Sequence, residues 1–342
     1  MKDNYSSWDI NENEFPKNES IKEQIVFLLR YGILAPSTHN TQPWKFKIQN
    51  DALYIYPDWN LRLAYADPDD HNIYISLGCC IENILCAASY FQLPYSLSIH
   101  SKSKNDSYVK IIFTKNKNND DRNFAYLFPF ITKRYSNKLS YLQKPIEETA
   151  LKELANAQTE NDVKIVLIDR HHLVYTISQL HRKAMLTIGK NKGFREELTS
   201  WVRTNNTTSS DGMPGFVMGF SPLQVSIGKV VLRYQFIFPI LAKKDISLIQ
   251  KSPAVGVIVS KNESVVSWIN TGRAYERLAL TATSLGINIT IMAAMIQDKD
   301  SQAELAQILQ LHGLNPQLFF RLGYSTNNSY HTPRRDLKIN FV

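Results

Sequence analysis

Apolar residues recur at helical spacing from residue 21 of the segment ESIKEQIVFLLRYGIL: Ile21, Ile25, Leu28 and Leu29 would share one face. Ser20 and Glu23 stand at the spacing of a capping box, and Gly32 weakens the far end. Strand patterns follow at 45–48 and 53–56, joined by a tight turn at Asn50 and Asp51. Residues 71–91 are apolar on more than one side and rich in small side chains, which predicts a buried helix. Further strands are expected at 97–99 and 108–113. A second round begins near residue 130, with Pro145 in the first turn of a helix through IEETALKELANA, a strand at 163–168 and a helix at 172–188. It resumes with a strand at 254–259, a helix at 268–285, a strand at 287–292, a helix at 303–311 and a strand at 318–322. This alternation predicts an α+β or α/β fold with helices covering mixed or antiparallel sheets. Residues 190–250 resist assignment and contain Asp211-Gly212-Met213-Pro214-Gly215; an insertion of that length reads as a lid over a site.

The two rounds share a weak repeat. Setting Ser76 over Asn270 aligns SLGCCIENILCAASYFQL with NTGRAYERLALTATSLGI, bringing Gly78 onto Gly272, Glu82 onto Glu276 and Ala88 onto Ala282. Two apolar helices can coincide this well by composition, yet the match also suggests duplicated halves whose long helices pack together.

A chain of 342 residues suits two packed units, and 44% hydrophobic with 20% charged residues is the balance of a globular protein. Scanning for a run of about 18 apolar residues yields no expected membrane span, and the first 20 residues lack the regions of a signal peptide, so a cytoplasmic location is expected. Cys79, Cys80 and Cys86 lie in one apolar stretch without metal-ligand spacing, which predicts buried free thiols and no metal site. The net charge of +8 is scattered, and the basic-looking stretch 101–122 mixes signs and reads as a hairpin with a solvated loop. Neither nucleic acid nor membrane is an expected partner, whereas a small phosphate monoester suits the surplus charge. No dinucleotide-binding or Walker glycine motif is present, and His171, His172 and His181 read as surface histidines of a helix.

Three short segments carry candidate chemistry. In Ala35-Pro36-Ser37-Thr38-His39-Asn40-Thr41-Gln42-Pro43-Trp44, Pro36 stops the preceding helix, and Ser37, Thr38, Asn40 and Gln42 offer donors and acceptors to one flat heterocycle. Taken alone, such a segment is more often a well-capped connecting loop. In Lys133-Arg134-Tyr135-Ser136-Asn137-Lys138, Arg134 and Lys138 could bring charge to a dianion with the Ser136 hydroxyl between them; a basic surface turn is the plain alternative. In Thr332-Pro333-Arg334-Arg335 the paired arginines suit a fork-shaped phosphate clamp, or simply a solvated basic tail.

In this order the three segments resemble the nitroreductase family, whose helix-end loop reads A-P-S, two residues, then N-x-Q-P-W, followed by R-x-S-x-R/K and a terminal basic pair. The resemblance runs from about residue 20 to the end and is nearest the double-length, Acg-like branch, matched also by Trp268, Gly272, Ala274 and Arg277. It implies an α+β, nitroreductase-like fold with a loose, flexible arm at 1–19, halves at 20–129 and 130–342, a lid at about 190–250, and the two halves forming an intramolecular pseudo-dimer in a monomeric chain. It implies FMN, contacted by Pro36, Ser37, Thr38 and Asn40, with Gln42 and Trp44 supporting the loop. Arg134, Ser136, Lys138, Arg334 and Arg335 would hold the phosphate and ribityl chain, and a backbone N–H of Ala293 or Ala294 would meet the ring edge. Residues 292–297 contain neither the carboxylate nor the proline that many members carry there, so no catalytic acid is identified. The symmetry-related second site lacks its motifs, since no arginine precedes Arg30 and the loop NAQTENDV has no Pro-Ser pair; one FMN per chain is expected. The implied activity is NAD(P)H-dependent reduction of nitro compounds, quinones or similar acceptors. The alternative is an FMN-sequestering protein with a closed lid.

Overall fold

The computed structural model describes residues 3–114, 124–326 and 330–341. The first helix, α1 (Ile21–Gly32), is capped as its sequence predicts: Ser20 N donates to Glu23 Oε2 at 2.9 Å, and Glu23 N donates to Ser20 Oγ at 3.3 Å. A hairpin of β1 (Trp44–Gln49) and β2 (Ala52–Pro57) follows, with Asn50 in the left-handed region at the turn. Next come α2 (His71–Tyr90) and a second hairpin, β3 (Tyr95–Ser103) and β4 (Asp106–Phe113). That hairpin turns at 104–105, and much of the solvated loop expected within 101–122 lies outside the described residues.

The second round contains α3 (Glu148–Ala155), β5 (Val163–Ile168) and α4 (His171–Ile188). Pro145 lies outside α3, whose N-cap is Glu147, so the expected first-turn proline is an approach residue instead. The stretch 190–250 is mostly helical: α5 (Lys192–Trp201), the short parallel pair β6 (Val202–Arg203) and β7 (Met213–Pro214), α6 (Pro222–Val231) and α7 (Phe238–Gln250). Then follow β8 (Ala254–Ser260), α8 (Val265–Ser284), β9 (Asn288–Ile291), α9 (Ala294–Gln297), α10 (Lys299–Ile308), β10 (Asn315–Gly323) and β11 (Ile339–Phe341). His181 on α4 is not a surface histidine: it is buried and its Nε2 meets Asp245 Oδ2 of α7 at 3.1 Å.

The fold is α+β. One sheet runs β11-β1-β2-β4-β3 and is mixed, because β11 adds in parallel to β1 with Phe46 opposite Ile339. The other runs β5-β8-β10-β9 and is antiparallel throughout. The long helices α2 and α8 pack against each other between them. They cross where the aligned glycines meet: a Cβ on Gly78 would lie 2.1 Å from the Ile269 carbonyl oxygen, and one on Gly272 would lie 2.0 Å from that of Ile75. Only glycine permits so close a crossing. By length and composition α2 could span a membrane, but 89% of its apolar window is buried inside the protein. It is a core helix, predominantly apolar because neighbours cover it on every side, with a few buried polar residues such as Glu82 and Asn83.

The chain ends meet. The N-terminal arm, expected to be loose, is docked: Asn4 Nδ2 donates to the carbonyls of Thr207 (3.2 Å) and Ser209 (2.8 Å), and Trp8 Nε1 donates to Thr332 O (2.9 Å). Trp8 also stacks on His331 with ring centroids 3.8 Å apart. Polar composition concealed this anchoring, to which Arg334 N adds a bond to Asn4 O at 3.1 Å and Phe15 a stack on Phe91.

Candidate functional site

The loop after α1 is held in an unusual backbone conformation. His39, Asn40 and Gln42 all have positive φ, at 52°, 56° and 55°. Non-glycine residues in that region cost on the order of 1 kcal/mol or more each and persist where the surroundings over-determine them. The surroundings here are specific. Ser37 Oγ accepts from Gln42 N at 2.9 Å and closes the loop on itself. Asn40 Nδ2 donates to Gly212 O (3.1 Å) and Pro333 O (2.9 Å), while its Oδ1 accepts from Arg334 Nη1 (3.0 Å). Gln42 Nε2 donates to Ser210 O at 2.8 Å, and Gln42 Oε1 accepts from Arg335 N at 2.8 Å. The amides of Asn40 and Gln42 thus join three separated segments: the loop, residues 210–212 and the C-terminal arm.

Around this junction lie four cations. Arg134 Nε stands 3.0 Å from Glu276 Oε1, an ion pair whose angle misses a hydrogen bond, and its Nη2 donates to Leu34 O at 3.0 Å. Arg334 Nη2 donates to Leu34 O and Ala35 O, the carbonyls at the end of α1, where a cation complements the helix dipole. Arg335 Nη1 reaches Thr41 O at 2.6 Å and its Nη2 pairs with Asp211 Oδ2 at 2.6 Å. Lys138 Nζ meets the thioether sulfur of Met213 at 3.5 Å. Two carboxylates answer these charges, and Asp211 is shared with Arg203.

Charge is therefore unbalanced in a buried place. Arg134 and Arg334 are 3% and 2% exposed, and Glu276 is fully buried. Burial, reinforced by Arg134, draws the Arg334 guanidinium down to about 9. Burial pushes the Glu276 carboxyl up to about 7 although Arg134 and Arg334 oppose the shift. Burial also keeps His39 neutral, drawing it down to about 3, with Lys138 adding repulsion. Nε of Arg334, Nε2 of both His39 and His331 and both carboxylate oxygens of Glu276 are buried without hydrogen-bond partners. Buried polar atoms are normally satisfied, so orphaned atoms beside buried arginines give this cluster the capacity to hold a further polar or charged group.

The remaining expected residues fall into two groups. Pro36, Ser37 and Thr38 lie half-buried at the start of the loop. Ser136 forms a parallel bridge with Ile289 of β9, and Thr290 Oγ1 donates to Asn137 O, so the 134–138 segment lies along the strand that runs on to Ala293 and Ala294. Motif spacing did not identify Glu276, Asp211, Trp8 or His331 as members of the site. Of these, only Glu276 left a signal, through its alignment with Glu82. Glu82 likewise holds arginines, with its Oε1 accepting from Arg277 Nε at 2.6 Å and its Oε2 from Arg273 Nε at 2.9 Å.

No family model matches the chain. A Mycobacterium tuberculosis protein of strain H37Rv, named provisionally as an NAD(P)H nitroreductase, is 22% identical over 332 residues, which is 94% of this chain and 91% of the relative. Its counterpart in strain CDC 1551 / Oshkosh matches to the same extent. Among solved structures, an FMN-dependent nitroreductase from Clostridium difficile R20291 is 14% identical with a TM-score of 0.36, covering 60% of this chain and 91% of that one. A Bacteroides fragilis nitroreductase with bound FMN is 12% identical with a TM-score of 0.37, covering 62% and 94%. The chain is thus similar over nearly its whole length to these two mycobacterial proteins, whose names place them among NAD(P)H nitroreductases.

Proposed function

We propose that this chain binds one FMN and works as an NAD(P)H-dependent oxidoreductase of the nitroreductase type. The observation that carries the proposal is the cationic cluster of buried Arg134 and Arg334 with half-buried Lys138 beside the strained 37–42 loop, with Glu276 its deepest counter-charge. The cluster fits a phosphate monoester in sign, and a half-buried Ser37 and Thr38 offer hydroxyls beside it. Bound FMN would supply reversible two-electron chemistry between a nicotinamide and an acceptor such as a nitro compound or quinone. Arg134, Ser136 and Lys138 would hold the phosphate and ribityl chain, and the backbone at Ala293 and Ala294 would border the ring. Arg334, Arg335, Asn40 and Gln42 are engaged with protein groups, so their work in this reading is to hold the loop in shape and to neutralise from a second layer. Residues 292–297 contain no carboxylate, so the acceptor's proton would come from solvent. The reciprocal Gly78 and Gly272 crossing supports duplicated halves, with the whole chain its own pseudo-dimer of the Acg-like type.

A second reading, FMN sequestration, is favoured by one specific feature. The loop is fastened to residues 210–212 by Asn40, Gln42 and Arg335 together, which holds the lid shut. An anaerobic absorbance titration of the flavin-loaded chain with NADPH, then NADH, separates the two. Rapid bleaching by either nucleotide supports the reductase. Yellow protein indifferent to both supports sequestration, and a chain that cannot be loaded refutes both.

A further inference from the structure

Helix α6 of the lid is amphipathic in the wrong sense for a soluble surface. Leu223, Ile227 and Val230 stand at i, i+4 and i+7 and form one stripe, the spacing by which a surface helix normally faces its core. Here the stripe faces outward, with the three side chains 70%, 55% and 60% exposed. Val225 is the helix's buried residue, and a Cβ added to Gly228 would meet nothing within 4 Å, so this face is unpartnered. The apolar surface continues along the chain through Tyr234 and Phe236, whose rings stack 5.9 Å apart, to Ile240 at the start of α7, all three more than half exposed. Exposed apolar residues in such a series mark a contact surface.

The charges around it indicate with what. Across the stripe's own segment, residues 222–250, the chain carries Lys229, Arg233, Lys243 and Lys244 against a single acid, Asp245, which is tied to buried His181. On the neighbouring α5, the Glu197 carboxylate accepts from the backbone N–H groups of Tyr65 and Ala66, and Glu196 pairs with Lys192. The segment that bears the stripe is therefore cationic, and these two acids of α5 are engaged with other groups. A twofold contact between copies through this face would bring two such cationic segments together in a chain already at +8, which opposes self-association. Apolar and aromatic side chains flanked by lysine and arginine are the composition of a helix that lies in the headgroup layer of an anionic bilayer.

We propose that the outer face of the lid docks on an anionic lipid surface as a peripheral contact. Composition alone predicted no membrane partner, because the test it applies concerns spanning segments; the outward stripe changes that expectation. The proposal does not depend on the flavin reading.

Flotation of the full chain with phosphatidylcholine vesicles containing roughly one third phosphatidylglycerol tests it, with pure phosphatidylcholine vesicles as the comparison. The chain is expected to float with the anionic vesicles, to lose most binding at high salt, and to ignore the neutral ones. Leu223→Ser with Ile227→Ser, and separately Arg233→Glu with Lys243→Glu, should each lower the bound fraction about tenfold or more. Both pairs are exposed, so the melting temperature should hold and certify the fold. Absence of binding overturns the proposal, and so does binding unaffected by the serine pair. A doubled mass in light scattering that returns to one chain in the serine pair overturns it in favour of self-contact.

Discussion

Glu276→Gln separates the demands of the fold from those of the anion site. Glu276 is fully buried, and its carboxyl titrates near 7 because burial outweighs the attraction of Arg134 and Arg334. Its folded-state value is raised above the ordinary 4.5, so the contribution of the protonated form to stability is complete below pH 4.5 and is lost as pH rises through 7. The shift corresponds to a loss on the order of 3 kcal/mol across that window. Glutamine keeps the shape of the neutral acid and cannot ionise, so the variant escapes the loss. Its melting temperature relative to wild type should therefore rise between pH 5 and pH 8, by roughly 5 °C at full effect. FMN binding should respond to the same charge. At pH 8 the ionised Glu276 competes with a phosphate for Arg134, and its removal should tighten FMN by about tenfold, or on the order of 1–2 kcal/mol. At pH 5.5 the two proteins should bind FMN alike. Thermal melts and flavin fluorescence titrations across this range read both effects. A difference in melting that does not vary with pH, or weaker FMN binding by the variant at pH 8, refutes the reasoning.

Three further outcomes follow from the packing. Gly78→Ala places a methyl 2.1 Å from the Ile269 carbonyl, which neither helix can relieve cheaply, so urea denaturation should show a loss of about 1–3 kcal/mol or more; Gly228→Ala faces open space and should gain about 0.4–1 kcal/mol. A smaller loss at Gly78 than at an exposed helical position would contradict the crossing geometry. Asn40→Ala removes bonds to Gly212 and Pro333, and limited proteolysis within residues 204–212 should accelerate about tenfold, whereas an unchanged rate would show that the lid is held elsewhere. Burial raises the thiols of Cys79, Cys80 and Cys86, so all three should resist a thiol reagent in the native chain and react after denaturation.

Much of this architecture was legible in periodicity. The capping box at Ser20, the hairpin turn at Asn50 and the two long helices follow from local chemistry that tertiary contacts reinforce. The alignment suggested that the two long helices pack together, and the structure adds that they cross at the aligned Gly78 and Gly272, where a close approach demands glycine on both sides. What escaped was non-local. The docking of Asn4 and Trp8 depends on carbonyls more than 200 residues away, and no pattern in a polar arm announces that. The lid's helices were obscured by Gly and Pro punctuation and by an apolar face turned outward. In the site, motif spacing found the cations but not their partners: Asp211 lies in a loop and Glu276 on a core helix, and neither forms a short motif with Arg335 or Arg134. Spacing also could not show that Asn40 would direct its amide to the lid and the C-terminal arm.

The central claim is that the buried arginines and Lys138 form a flavin phosphate site. Titrating the flavin-free chain with FMN and with riboflavin, which differ by that phosphate, tests it most directly. The account predicts one FMN per chain and riboflavin weaker by about a hundredfold, the scale of two charge-assisted hydrogen bonds. Equal affinity for the two flavins, or none for FMN, would contradict it.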